Sequence, residues 1–262
     1  MNMKLYVMAD MEGISGIHLM SQVKKEFPAD YAYGQRMLTE EINFVVDTLC
    51  SLGADRIVIR DGHAGGWNIR LGEMDGRAEY EPPCFPSLTM LDESFDGVIL
   101  LGTHSKAGTL NGFLDHTINS MEWFSYTING DEVGEIALTA VRAGAVGVPV
   151  LAVIGDQKAT EEARSLFGSN NISCAAVKQG VGRNWADCLP LDQARQAIAQ
   201  ALKEAVGRIG KAKPCCPQLP AHVELTFYRS DFADRYSGNP EWTRKDARTI
   251  TKTVSSFRES LW

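Results

Sequence analysis

Leu5-Tyr6-Val7-Met8-Ala9-Asp10-Met11-Glu12-Gly13-Ile14-Ser15 is the stretch from which the rest of the chain can be ordered. Its first four residues are apolar and read as a short buried strand. Two carboxylates follow at i and i+2, where that strand should end, with a glycine directly after them. A continuous strand sends Asp10 and Glu12 to one face, and a turn lets both converge on one point. Two like charges side by side are costly to bury unless a cation or proton neutralises them. The competing reading is a solvated acidic turn, so the decision falls to the remaining chain.

Working outward, Asp30 to Leu52 is a long helix by the spacing of Met37, Leu38, Ile42, Val45, Val46 and Leu49, and Gly53 stops it. Arg56 to Ile59 is a second apolar strand, ending in Asp61-Gly62-His63, so the order is strand, helix, strand. Gly72 to Pro86 is loop-rich, with a short strand near Ala78 to Tyr80. Gly97 to Gly102 is a continuous apolar run of the kind buried inside a parallel sheet, and Thr103-His104-Ser105 follows it. Phe124 to Ile128 and Val133 form an antiparallel ribbon turned at Asn129-Gly130-Asp131. An alanine-rich helix runs from Glu135 to about Ala145. Strands at Pro149 to Ile154 and Ser173 to Val177 bracket a helix at Thr160 to Phe167, and Leu191 to Ile209 is an amphipathic helix. A proline-rich connector, Lys211 to Pro220, leads to a strand at His222 to Phe227 and a polar tail that is helical near Thr243 to Phe257. The expected fold class is α/β: a largely parallel sheet flanked by helices, a small antiparallel ribbon and a C-terminal helical elaboration, in one domain spanning 1–262.

The 262 residues give ample core for such a domain, and the net charge of -7, without a basic arm, argues against nucleic acid as the main partner. Six scattered cysteines make no CxxC pair, and Cys215-Cys216 read as loop residues. The polar start runs directly into the first strand, and no apolar run approaches a membrane span. A reduced, cytoplasmic protein that does not meet membranes is the expectation.

Three features then align. Asp10 and Glu12 follow the first strand, His63 the second and His104 the third, and ligands of open parallel sheets gather at the carboxyl ends of strands. The chain has only five histidines; His116 lies a little beyond His104, whereas His18 and His222 fall elsewhere. Glu135 opens a helix. Carboxylate and imidazole together suit zinc or a similar divalent ion. Five ligands exceed one catalytic zinc with an open position, but they suit two metals about 3.5–4 Å apart sharing one carboxylate. Asp10 is the natural bridge, giving Asp10, Glu12 and His63 to one metal and Asp10, His104 and Glu135 to the other. Each residue also has a plain structural role open to it: His63 and His104 as loop caps, Glu135 as a carboxylate favoured by its helix dipole.

With these residues in view, the chain resembles the D-aminopeptidases of the M55 metallopeptidase family. The resemblance rests on Asp10-Met11-Glu12-Gly13-Ile14-Ser15-Gly16, Asp61-Gly62-His63 with Asn68, Gly102-Thr103-His104-Ser105, His116-Thr117, Asn129-Gly130 with Gly134-Glu135, Gly147-Val148-Pro149-Val150 and Gly155-Asp156. It runs in order through about the first 210 residues, leaving 211–262 as an elaboration. The chain departs from the family pattern at Gly62 and Ala64 beside His63, and at Gln157, where a second acidic residue is common. The resemblance implies two zinc ions per chain on Asp10, Glu12, His63, His104 and Glu135, with His116 as a catalytic residue that is not a ligand. It also implies removal of an N-terminal D-amino acid from short peptides such as D-Ala-D-Ala, and a ring-based homo-decamer. The competing readings are another metal-dependent amidase or phosphoesterase, and a metal-dependent peptide-binding protein without turnover. Phosphoesterases want basic groups near the metals, and the site words offer little beyond Lys106.

Overall fold

The computed structural model describes residues 2–81 and 88–258. Along the chain, β1 (Met3–Ala9) is followed by α1 (Pro28–Ser51), β2 (Ala54–Asp61), β3 (Glu79–Glu81) and β4 (Gly97–Thr103). Next come β5 (Trp123–Ile128), β6 (Asp131–Glu132), α2 (Glu135–Gly144), β7 (Val150–Asp156), α3 (Gln157–Phe167), β8 (Ser173–Gly182) and β9 (Trp185–Cys188). The last elements are α4 (Leu191–Val206), β10 (Ala221–Phe227), α5 (Ser230–Asp234), β11 (Thr243–Arg244) and β12 (Thr249–Val254). Residues 82–87, which include Cys84 and the end of the loop-rich stretch, lie outside the described residues.

Seven strands form the main sheet in the order β3-β2-β1-β4-β7-β8-β9. All its pairings are parallel except that of β9 with β8. Strands β4 and β7 are buried along their whole length, as continuous apolar runs covered on both faces should be. Helices α1 and α4 pack on one face through residues such as Leu38, Val45, Ile198 and Leu202. Helices α2 and α3 cover the other through Ile136, Ala140, Ala159 and Ala163. The chain leaves β1 toward β2 and β3, then returns to β4 on the opposite side of β1. That reversal makes the β1–β4 boundary the topological switch point, where an open α/β sheet has a crevice at its carboxyl edge.

The antiparallel part is larger than a ribbon. Asn129 and Gly130 both take positive φ between β5 and β6, as the tight turn there requires. Strands β10, β12 and β11 extend the pair into a five-stranded sheet, β11-β12-β10-β5-β6. Its core, built from Tyr126, Leu225, Phe227 and Ile250, meets Leu138 and Val141 of α2. Helix α2 is therefore covered on both sides, Ile136, Ala140 and Ala143 against the main sheet and Leu138 and Val141 against the second. Ala140 and Ala143 let the main sheet approach closely.

The helix expected over Thr243 to Phe257 is absent; that segment holds β11 and β12. Thr-Ile-Thr-Lys-Thr-Val alternates, with Ile250, Lys252 and Val254 buried on one face. A β-branched residue at almost every position favours the strand, and β10 supplies the antiparallel partner. The helical elaboration of the tail reduces to the five residues of α5. Among the described residues no helix is long and apolar enough to cross a membrane.

Candidate metal centre

The chain leaves β1 at Asp10 in contact with the neighbouring strand: Asp10 N donates to Leu101 O at 2.8 Å, and Gly13 N to Gly102 O at 2.6 Å. A Cβ at Gly13 would lie 2.2 Å from Thr103 O, so only glycine allows this approach. Gly102, at φ +72°, would meet Asp10 O at 2.1 Å. The two glycines thus hold the acidic turn of β1 against the end of β4, which carries His104.

Asp10 presents its two oxygens to two different imidazoles. Its Oδ1 is 3.2 Å from His63 Nδ1, and its Oδ2 is 3.4 Å from His104 Nε2. Glu12 Oε2 joins the first group, 2.8 Å from His63 Nδ1. Glu135 Oε1 joins the second, 3.3 Å from His104 Nε2 and 3.6 Å from His116 Nε2. His116 stacks on His104, ring centroids 3.9 Å apart. All six residues singled out in the sequence therefore meet at one place, in two triads, Asp10–Glu12–His63 and His104–His116–Glu135, each with ligand atoms within 4.8 Å of one another. His18 and His222 stand apart, His18 against Gly16 O and His222 beside Glu224.

The backbone sets the tautomer of each ring. His63 Nε2 faces Val23 O at 3.1 Å, His104 Nδ1 faces Ser105 O at 3.0 Å, and His116 Nδ1 faces Leu114 O at 2.7 Å. A carbonyl can only accept, so those nitrogens carry the hydrogens and, in the neutral rings, the opposite nitrogens carry lone pairs. Each lone pair then points at carboxylate oxygens, an arrangement that repels unless a cation or proton lies between. Histidine ligands whose far nitrogen donates to a carbonyl are the usual form of a metal site. His104 Nε2 is buried without a hydrogen-bond partner, as the ligand atom of a metal site would be.

The electrostatics agree. Burial and the neighbouring Glu12 charge raise Asp10 to about 7. Burial works against ionising Glu12, but the His63 charge outweighs it and holds that carboxyl well below its usual range. Burial likewise opposes ionised Glu135, yet His104 brings it down to about 2. His63 and His104 are pushed well above the ordinary imidazole value by the facing carboxylates, against their burial. His116 goes the other way: burial and the His104 charge lower it. A set of carboxylates and imidazoles that demands added positive charge fits divalent zinc by donor type.

The supports of this cluster are Asp61 and Asn68, both among the words that carry the family resemblance, and Lys178, whose role no local pattern announces. Asp61 accepts from Asn68 N, Asn68 Nδ2, Ile69 N and His63 N, and Asn68 Nδ2 also donates to His63 O, which fixes the His63 loop. Lys178 of β8 is buried, with Nζ donating to Glu12 O and Ile17 O at 2.6 Å each. Burial brings its pKa down to about 8. Lys178→Met removes two charge-assisted bonds to the acidic turn and is expected to lower stability by roughly 3 kcal/mol in urea denaturation. A loss under about 1 kcal/mol in that titration would show that the turn holds itself.

The cluster opens into a cavity of about 620 Å³ lined by Asp10, Glu12, His63, His116 and Glu135, with Lys24 and Arg183 on other walls. Arg183 is paired with Asp115, beside His116, at 2.7 Å. Paired carboxylate–imidazole triads at the switch point of an α/β sheet, open to a peptide-sized cavity, are the layout of a metal-dependent hydrolase. The model of peptidase family M55, described as D-aminopeptidase, matches residues 3–261, and the chain belongs to that family. It is 32% identical over 254 residues to a D-aminopeptidase of Bacillus subtilis (strain 168), covering 96% of this chain and 88% of that one. It also superposes with a TM-score of 0.92 and 29% identity on a solved structure described as the Zn-dependent D-aminopeptidase DppA from Bacillus subtilis, a self-compartmentalizing protease. That match covers 98% of this chain and 93% of the other.

Proposed function

We propose that the chain is a zinc-dependent aminopeptidase with two ions per chain, releasing the N-terminal D-amino acid of short peptides such as D-Ala-D-Ala. The observation that carries the reading is Asp10, whose oxygens face two imidazoles with opposite nitrogens tied to backbone carbonyls. Asp10, Glu12 and His63 hold one ion, and Asp10, His104 and Glu135 the other. Bound zinc supplies Lewis-acid polarisation of the scissile carbonyl and acidifies the attacking water. His116 borders the cavity, takes a proton at Nε2, the ring nitrogen opposite the bond to Leu114 O, as the bond to carbon forms, and returns it to the leaving amine. Burial lowers its pKa, which favours the neutral form that a base needs.

A homo-oligomer, ring-based and decameric by family resemblance, is supported by the solved relative's description as a self-compartmentalizing protease. Free thiols at Cys50, Cys174, Cys188, Cys215 and Cys216 support a reducing, cytoplasmic compartment.

The test pairs elemental analysis with hydrolysis on one preparation. About two zinc ions per chain, with D-Ala-D-Ala cleaved, L-Ala-L-Ala untouched and activity lost to a chelator, is the expected outcome. Two ions without cleavage of D-peptides would discard the substrate. No retained metal after zinc is supplied would discard the centre.

A further inference from the structure

The large cavity carries charge of both signs. Asp10, Glu12 and Glu135 stand at the cluster, while Lys24 and Lys25 stand on another wall, with Glu26 beside them. Arg183 also borders it, but its guanidinium already lies on Asp115 at 2.7 Å, so its charge is answered. Among the described residues neither lysine's ammonium makes an ion pair or a side-chain hydrogen bond, with Glu26 or with any other group.

The metal site itself places Lys24. Contacts run without a break from Glu135 Oε1 to His104 Nε2 at 3.3 Å, and from there to Asp10 Oδ2 at 3.4 Å. They continue from Asp10 Oδ1 to His63 Nδ1 at 3.2 Å, and from His63 Nε2 to Val23 O at 3.1 Å. Lys24 is the next residue. Its backbone is held on both sides, N donating to Ser21 O at 3.4 Å and O accepting from Phe27 N at 3.0 Å. The same segment presses on α1 at Gly34, where a Cβ would lie 2.1 Å from Gln22 O. The side chain of Lys24 is left to move, and the residue is half-buried at the cavity, whereas Lys25 is exposed.

A short peptide has a charge that this wall can answer. With the scissile carbonyl at the cluster, the C-terminal carboxylate of a dipeptide lies one residue further on, about 3.5 Å, and that of a tripeptide about 7 Å. Lysine carries a compact ammonium on a flexible four-carbon stem, suited to a carboxylate that arrives with the substrate. In a partly enclosed cavity such a pair is stronger than in open water. A cavity of about 620 Å³ has room for longer peptides, so charge rather than space makes the selection.

We propose that Lys24 binds the C-terminal carboxylate of the substrate, which makes dipeptides with a free carboxyl end the preferred substrate class. The proposal rests on the aminopeptidase reading above and adds which peptides are taken. Lys25 adds positive field on the same wall without touching the substrate.

The test uses the zinc-loaded full chain with D-Ala-D-Ala and its C-terminal amide, which match in size and differ in charge. The expected kcat/KM ratio is about 10 to 100 in favour of the free acid, the worth of a charge-assisted bond. Most of it falls on KM, because Lys24 holds an end of the substrate that does not react. D-Ala-D-Ala-D-Ala is expected to be cleaved more slowly than D-Ala-D-Ala. In Lys24→Gln the acid-to-amide ratio falls to about one. In Lys24→Glu it drops below one, a reversal that a merely structural lysine would not give, and Lys24→Arg keeps it well above one. These are ratios on one preparation, so a partly folded variant still reports. Equal rates for acid and amide in the parent overturn the subsite alone. So does a preference that is unchanged in Lys24→Gln and Lys24→Glu, which would assign it to the zinc ions. Absence of any D-peptide cleavage overturns the aminopeptidase reading and the subsite with it.

Discussion

Replacing His116 with alanine is expected to lower kcat for D-Ala-D-Ala by about a hundredfold to ten-thousandfold, the range for losing a positioned general base, while zinc stays at two per chain. The Leu114 carbonyl accepts from Nδ1 and leaves Nε2 as the basic atom. Burial lowers the pKa of the ring and so favours its neutral form, and stacking on His104 fixes its plane. Geometry also offers a different role, because Nε2 lies 3.6 Å from Glu135 Oε1 and could complete a triad of ligands with His104. Metal content separates the two. A variant that loses activity and keeps both ions has lost a base; one that retains a single ion has lost a ligand. Undiminished turnover would remove His116 from the chemistry altogether.

Much of this centre is legible in the sequence because parallel strands deliver their ends to one edge. Asp10 and Glu12, His63 and His104 each follow an apolar run, and the order of those runs suffices to bring them together without knowledge of any loop. Glu135 is legible only as the opening residue of a helix, since its arrival depends on the chain leaving through β5 and β6 and returning. Of the supports, Asp61 and Asn68 stand in the words of the resemblance, but what they bond is not legible from spacing, and the role of Lys178 is not legible either. Lys178 meets Glu12 across 166 positions, and nothing around it in β8 marks it as different from a surface lysine. Strand β10 is legible, but β11 and β12 are hidden for the same reason: β12 pairs with β10, its alternation is short, and scattered aromatics around it imitate a helical face. Local pattern reports what a segment can form, and the partner decides which form it takes.

Asp10→Asn is expected to reduce zinc from about two per chain to near zero, whereas Glu12→Gln, confined to the His63 side, is expected to keep about one. The difference follows from the two oxygens of Asp10 facing two imidazoles, while Glu12 faces His63 alone among the rings. Stability should respond with opposite signs in the two metal states. In the metal-free chain, burial and Glu12 raise Asp10 to about 7 from an ordinary 3.8. A carboxyl that binds its proton more tightly when folded makes the fold less stable as pH rises from about 4 through about 7. Asparagine has no charge to bury, so metal-free Asp10→Asn should melt at or above the metal-free parent at pH 8, and any gain should shrink at pH 5. Added zinc reverses the order, since binding to the folded state stabilises only a chain that still holds the ions. Thermal melts of both chains at pH 5 and pH 8, with zinc and with chelator, read all four states. A metal-free Asp10→Asn that melts well below its parent at pH 8 would make Asp10 a structural carboxylate satisfied by its histidines. A variant that keeps two zinc ions would take the bridge away from Asp10. The joint outcome expected here, a more stable empty fold and a lost metal response, is the mark of a carboxylate placed for a cation at a cost to the fold without one.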